Sequence, residues 1–398
     1  MIEINGKYGN AKIFTNNIDE KVSSQINQML ESPVAIDANM RIMSDVHFGA
    51  GCVIGTTMKI VDKVVPNFVG VDIGCGVLVQ KIGRTGIDLE RLDKVVRKNI
   101  PSGFEIRNRE HPLASCVNLD DLICKDGLKK FNRFSLGIGT LGGGNHFIEI
   151  ASDENGYNYL IIHTGSRNLG KQVADYYQQK AYEELKNNTI TKDEIIAQLC
   201  HLGREQDIER TLKSVDITKI DKAMAYCEGE LMQDYLHDMI ICQKYASINR
   251  MAIASILGIG MRWSVFNEFE TVHNYIDMDS MILRKGAVSA KSGESLIIPM
   301  NMMNGSLLCV GKGNPEWNYS APHGAGRIMS RTVARKTISI DDFKNSMNGI
   351  FTTCVNNDTI DEAPMAYKPM QEIIDNIGDT VNIIGRIKPI YNFKAGRE

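Results

Sequence analysis

No two cysteines in this 398-residue chain form a C-x-x-C pair, and the nine present, at 52, 75, 116, 124, 200, 227, 242, 309 and 354, are odd in number. That argues against a zinc ribbon and a disulfide framework, and fits thiols kept reduced in the cytoplasm. Long apolar runs are missing too. Nothing approaches a membrane span, and the opening MIEINGKYGNAKIF has no apolar core of signal-peptide length, so the expectation is a soluble cytoplasmic protein without a membrane partner. A basic excess is also lacking. The formal net charge is −3, so any contact with nucleic acid must come from a local patch. There is no internal repeat and no low-complexity linker. What the chain has in quantity is glycine, 35 residues, alongside an apolar content of 43%, which fits a loop-rich globular enzyme. Its length suits one large domain or two ordinary ones.

The texture of the sequence changes twice. Residues 30–165 read as short strands between glycine turns, as in MRIMSDVHFG, CVIGTTMKIV, VGVDIGCGVLVQ and NYLIIH. From about 168 to 262 apolar residues recur at three-to-four spacing, and Thr191 with Glu194 forms a capping box, so helices are expected. From 270 the strand-and-glycine texture returns and runs to the end. The fold class read from this is α+β, one large domain of mixed β-sheets over residues 1–398 with a mainly helical block inserted in it.

Two glycine-rich stretches imitate nucleotide motifs. Gly165 to Gln172 follows the phosphate-loop spacing between a strand and a helix, but Gln172 lacks the hydroxyl that would hold Mg²⁺. Gly137-Ile-Gly-Thr-Leu-Gly142 matches G-x-G-x-x-G, yet no apolar helix start and no strand-ending acid follow it. The stretch VGVDIGCGV is more telling. Asp72 and Cys75 sit among glycines and valines, where an unpaired carboxylate is costly. They read either as a buried thiol beside a turn-capping acid or as metal ligands. Four of the eight histidines share this glycine-rich or strand-end setting: His146 in LGGGNHFIEI, His163 in YLIIHTGSRNLG, His273 in ETVHNYID and His323 in SAPHGAGR. Imidazole, thiolate and carboxylate together point to a transition-metal site.

In order along the chain, DVHFGAGCVIG, VGVDIGCGV, GGGNHFIE, HTGSRNLG, VHNY, RKGA, HGAGRIMSR, DEAPMAYK and RIKPIYNFKAG resemble the signature of RtcB-type RNA ligases, from about residue 40 to the C-terminus. The resemblance implies a distinctive single-domain α+β fold, a pair of Mn²⁺ ions, GTP as cofactor and a histidine that carries GMP. By motif position, Cys75 would bridge the two ions, with His146 and His163 on the first and Asp72 and His273 on the second. His323 would be the guanylated histidine. Asn145 would lie at the triphosphate and metals, and Glu149, Ser306, Tyr367 and Lys394 at the guanine nucleotide. The implied partners are RNA with 3′-phosphate or 2′,3′-cyclic phosphate and 5′-hydroxyl ends, and an archease-like helper protein. Arg167, Lys285 and Arg327 are candidates for holding the terminal phosphate.

Residue chemistry agrees with part of this. A neutral imidazole is nucleophilic at pH 7, and no K-x-D-G lysine motif competes with His323. Thiolate with imidazole would favour zinc, since manganese prefers oxygen. The chain also departs from the family where PGSMGTAS becomes Pro299-Met-Asn-Met-Met-Asn-Gly-Ser306, and where Ser320-Ala-Pro precedes His323. These changes leave two further readings: a metal-dependent phosphoesterase that ligates nothing, and a non-catalytic RNA-binding partner of a repair factor.

Overall fold

The strands that end at the glycine-flanked histidines lie side by side. In the computed structural model, which describes residues 1–84, 86–188, 192–214 and 220–396, they belong to one antiparallel sheet. Its order is Asn267–Val272, Gly76–Gly83, Asn158–Thr164, Phe147–Ser152, Val381–Lys394, Gly305–Gly311 and Ser295–Asn301. A second sheet runs Ile2–Asn5, Asn10–Ile13, Met40–His47, Ile54–Lys59, Ile282–Lys285 and Asn274–Asp277. A short ladder pairs Ala287–Ser289 with Ser320–Pro322. The fold is mixed α+β, as the sequence texture suggested.

Alternation along the strands of the first sheet gives its two faces different tasks. Leu78, Ile148, Ile150, Leu160 and Ile162 point to one side and bury against Ile253 and Leu257 of the helix Gly229–Met261 and Leu92 and Val96 of the helix Leu89–Asn99. Each such side chain contributes about 1.5–3 kcal/mol when fully buried. The other face carries Val77, Phe147 and Ile161, and with them Glu149 and His163. That second face looks into the site.

The helical block runs through Arg167–Asn188, Lys192–His201, Ile208–Ser214 and Gly229–Met261, between two strands of one sheet. Thr191 of the expected capping box lies outside the described residues. The reading of 30–165 as strands needs correcting in two places. Leu89–Asn99 is a helix, its Leu92 and Val96 four apart on the buried side and its first turn capped by Asp88, whose Oδ1 accepts from Arg91 N at 2.9 Å. Residues 101–146 are turns and short 3₁₀ segments such as Pro112–Cys116 and Ser135–Gly137. The C-terminal part likewise contains helices, Arg331–Thr337, Ile340–Ser346 and Met370–Ile377, the first two capped by Ser330 and Ser339. No helix among the described residues is long and apolar enough to cross a membrane, and all nine cysteines are free.

Candidate active site

Register explains how residues 200 positions apart meet. Gly76 pairs with both Val272 and Thr164, Val77 and Phe147 pair with His163, and Lys394 pairs with Phe147. One end of the sheet therefore lines up His273, Cys75, His163, His146 and Lys394, each at or next to the end of its own strand. Asp72 enters from the turn before Cys75, where Gly74 (φ +74°) lies against the backbone of Gln243. A Cβ there would meet that backbone at 2.8 Å, so glycine is required. The helix Gly229–Met261 fixes the row from behind. Arg250, fully buried, donates through Nη1 to the carbonyls of Gly74 (2.8 Å) and Thr164 (2.6 Å) and pairs with Glu270 at 2.6 Å. Its neighbour Asn249 accepts from Gly139 N and Thr140 N at 2.8 and 3.1 Å. The G-x-G-x-x-G turn is thus tied to a side chain of the protein itself.

The donors form a chain of contacts. Asp72 Oδ2 lies 2.9 Å from His146 Nε2; Cys75 Sγ lies 3.4 Å from His146 Nε2 and 3.3 Å from His163 Nε2; His163 Nε2 lies 3.3 Å from His273 Nε2. Ligands about 2.0–2.3 Å from a tetrahedral ion stand roughly 3.4–3.7 Å apart, so the sulfur–nitrogen spacing suits a shared cation. Cys75, His146 and His163 meet that requirement most compactly, all three buried with their ligand atoms within 4.8 Å of one another. The electrostatics agree. Burial, then the Asp72 carboxylate, pushes the Cys75 thiol well up, while burial and the neighbouring imidazoles hold His163 and His273 well below the ordinary histidine value. Burial also opposes charge on Asp72, but His146, Cys75 and Arg167 together outweigh it and its carboxyl is held low. Uncharged lone pairs thus converge on one buried point beside a carboxylate, where a divalent cation would make the thiolate favourable. The residues fit a metal.

His323 stands next to this row, its ring centre 4.9 Å from that of His273. It follows the strand Ser320–Pro322 and reaches across to the other sheet, where Asp45 Oδ2 meets His323 Nδ1 at 2.7 Å. An ionised carboxylate only accepts, so in the neutral ring the proton sits on Nδ1 and Nε2 has the lone pair. His323, His163 and His273 line one cavity together with Asn145, Glu149, Ser306, Tyr367 and Lys394. Two buried glutamates on its walls are pushed in opposite directions. Burial raises Glu149 to about 7 against the opposing pull of Asn392 and Lys394. Glu362 is buried as well, yet Lys394, Arg331 and Arg327 together hold it at about 2. Lys394 Nζ lies 2.9 Å from Glu362 Oε2, and the Tyr367 hydroxyl donates to the same oxygen at 2.6 Å.

All the expected site residues gather around this cavity and donor row. Of the phosphate candidates, Arg327 lines the cavity and Arg167 lines a second opening. Lys285 does neither. It is buried in a strand of the six-stranded sheet, its ammonium bonded to the carbonyls of Ala50 and, at 2.8 Å, Asn67, so it braces a loop and the short helix Pro66–Val69. The altered stretch 299–306 forms a hairpin turn in which Asn301 Oδ1 accepts from Met303 N (3.0 Å) and Asn304 N (2.8 Å). Sequence reasoning missed Asp45, His47, Glu362 and Arg331, although each stands inside a quoted motif. It also missed the second opening, a cleft on the Asp72 and His146 side. There Lys129, Lys130, Arg133, Arg167, Lys171, Arg331 and Arg335 face a single acid, Asp72, beside the exposed Phe104.

Thiol, carboxylate and imidazoles at the end of an antiparallel sheet, between a cavity and a basic cleft, define a candidate metal centre suited to phosphate chemistry. The family described as tRNA-splicing ligase RtcB matches residues 25–129 and 124–395. The RNA-splicing ligase RtcB of Escherichia coli (strain K12) is 30% identical over 395 residues, covering 90% of this chain and 90% of that protein. The tRNA-splicing ligase RtcB of Aeropyrum pernix is 25% identical over 427 residues, covering 88% and 86%. The chain belongs to the RtcB family.

Proposed function

We propose that this chain is an RNA ligase that uses GTP and Mn²⁺ to join RNA 3′-phosphate or 2′,3′-cyclic phosphate ends to 5′-hydroxyl ends. One observation carries the reading: an imidazole whose Nδ1 is held by Asp45 lines a cavity that also touches the buried thiol–imidazole row. In this reading Cys75 would serve both ions, with His146 and His163 holding the first and Asp72 and His273 the second. When bound, the metals would neutralise charge on the triphosphate and the departing pyrophosphate. Manganese rests on family membership, because the donor types alone would favour zinc.

His323 Nε2 attacks the α-phosphorus of GTP and pyrophosphate leaves. Asp45 steadies the positive charge that develops on the ring. Glu149, Ser306, Tyr367 and Lys394 hold the guanine nucleotide, and Asn145 orients its phosphates. GMP then passes to the RNA 3′-phosphate, and attack by the 5′-hydroxyl expels it. A cyclic phosphate is first opened by water. We read residues 1–398 as one domain acting in the cytoplasm, with the block at about 168–262 inserted in it and an archease-like helper as a possible partner.

The test is incubation with α-labelled GTP and Mn²⁺. An acid-labile, base-stable protein adduct is expected, absent from His323→Ala, together with joining of 3′-phosphate to 5′-hydroxyl RNA and none of 3′-hydroxyl to 5′-phosphate RNA. Label that persists in His323→Ala overturns the assignment. Phosphate release without joining would favour a metal-dependent phosphoesterase.

A further inference from the structure

Asp45 holds two histidines. Its carboxylate accepts a hydrogen bond from Nδ1–H of His323, and its backbone carbonyl lies 2.9 Å from Nδ1 of His47. A carbonyl can only accept, so the His47 proton also sits on Nδ1 and its Nε2 carries a lone pair. His47 lines the same cavity as His323, and among the described residues its ring is held through Nδ1 and not through Nε2. One residue thus sets the tautomer of both rings, and both rings line one cavity.

The ligase reading assigns work to only one of them. Guanylation needs no base, because His323 attacks through a lone pair and its one ring proton already rests against Asp45. Sealing is different: the 5′-hydroxyl must lose a proton as it attacks. Most other cavity groups are already engaged, Glu149 among them through the bond it accepts from Asn392. His163 and His273 turn Nε2 into the donor row, Lys394 is engaged with Glu362, and the Tyr367 hydroxyl is already donating. Asp45, His323 and Arg327 are the charged or titratable groups around His47, and burial keeps its ring neutral, with a value lowered to about 4.

Resting on that ligase reading, we propose that His47 Nε2 accepts the proton of the attacking RNA 5′-hydroxyl in the sealing step. The O5′–phosphorus bond forms, the bond from that phosphorus to the GMP oxygen breaks, and GMP leaves with the electron pair. The proton moves from O5′ to His47 Nε2 and on to solvent. His47 therefore separates two stages that share one cavity: nucleotide loading, which does not use it, and strand joining, which does.

The experiment uses the full chain with Mn²⁺, α-labelled GTP and RNA bearing 3′-phosphate and 5′-hydroxyl ends, comparing wild type, His47→Ala and His47→Gln in single turnover. Removing a positioned base costs about 10²–10⁴-fold. Sealing should fall by at least about a hundredfold in both variants, with RNA whose 3′ end carries GMP accumulating, while adduct formation on His323 changes far less. Adduct formation doubles as a folding check, and glutamine keeps an acceptor oxygen in the cavity if alanine proves unstable. Sealing at the wild-type rate overturns the proposal. So does an equal loss of adduct formation in a folded variant, which would assign His47 to the nucleotide. A wild-type protein that forms no adduct and seals nothing removes the ligase reading itself.

Discussion

The sheet wall and the C-terminal wall of the cavity each bury one glutamate, and the two carboxylates behave in opposite ways. Glu149 stands on the strand Phe147–Ser152, accepts one bond from Asn392 Nδ2 at 2.8 Å, and is raised by burial to about 7. Glu362 comes from the DEAPMAYK segment and is as deeply buried, yet Lys394, Arg331 and Arg327 hold it at about 2. Depth alone therefore does not fix the charge of this cavity; the number of cations within reach does. Glu362 is ionised at neutral pH and organises three cations. Glu149 can be neutral near pH 7, where an incoming hydrogen-bond donor or cation could decide its state.

The sharpest way to break this comparison is Glu362→Gln. Removing one partner of a buried ionic network costs about 3–5 kcal/mol, because the cations left behind stay desolvated. The sign follows from the shift: with a folded-state value near 2, below the ordinary 4.5, its contribution is present above pH 4.5 and lost as pH falls toward 2. Denaturant melts of wild type and variant should differ most at pH 6–7 and converge toward pH 2. A gap that does not change with pH would mean that the network contributes through shape and not through charge.

Glu149→Gln should show the reverse trend. A folded-state value of about 7 against an ordinary 4.5 means that the ionised carboxylate opposes folding, so stability is highest below pH 4.5 and declines as pH rises through 7. A shift of that size corresponds to about 3 kcal/mol between the two limits. Glutamine removes this dependence, so the variant should gain on wild type between pH 4 and pH 8 by roughly that amount. Parallel curves would place the Glu149 carboxyl in a more solvated setting than the wall suggests.

The sequence revealed these parts unevenly. The donor residues were legible one by one, because His146, His163 and Cys75 stand near glycines and His273 ends a strand-like run, and together they offer imidazole and thiolate. Their order was not, since the sheet places Asn267–Val272 beside Gly76–Gly83 and the C-terminal strand beside Phe147–Ser152. Strand order depends on long-range pairing, which a periodicity of two does not encode. Lys285, a candidate for the terminal phosphate by motif, misled for the same reason: its position in the six-stranded sheet aims the ammonium at two carbonyls. Glu362 was hidden because its meaning lies in Lys394, Arg331 and Arg327, none of which adjoins it in sequence. The stretch 101–146 read as strands because glycine turns also punctuate 3₁₀ segments.

The cleft extends the comparison to surface charge, with a smaller effect. Arg331 and Arg335 are tied to Asp361 and Glu362, but Lys129, Lys130 and Arg133 are exposed and make no ion pair among the described residues. Cations that are already neutralised add little to the attraction of a polyanion, whereas solvated ones release counterions when they meet phosphate. On the ligase reading, Lys129→Gln, Lys130→Asn and Arg133→Gln combined should weaken binding of single-stranded RNA by about tenfold at moderate salt and flatten the log–log salt slope by about 2, from roughly 0.7 per phosphate contact. Adduct formation from GTP should be spared, because none of the three lines the nucleotide cavity. Filter binding across a salt series checks this. An unchanged slope would mean that the strand takes another path to the site, and an equal loss of adduct formation would mean that cavity and cleft are one electrostatic unit, removing the distinction between paired and solvated charge.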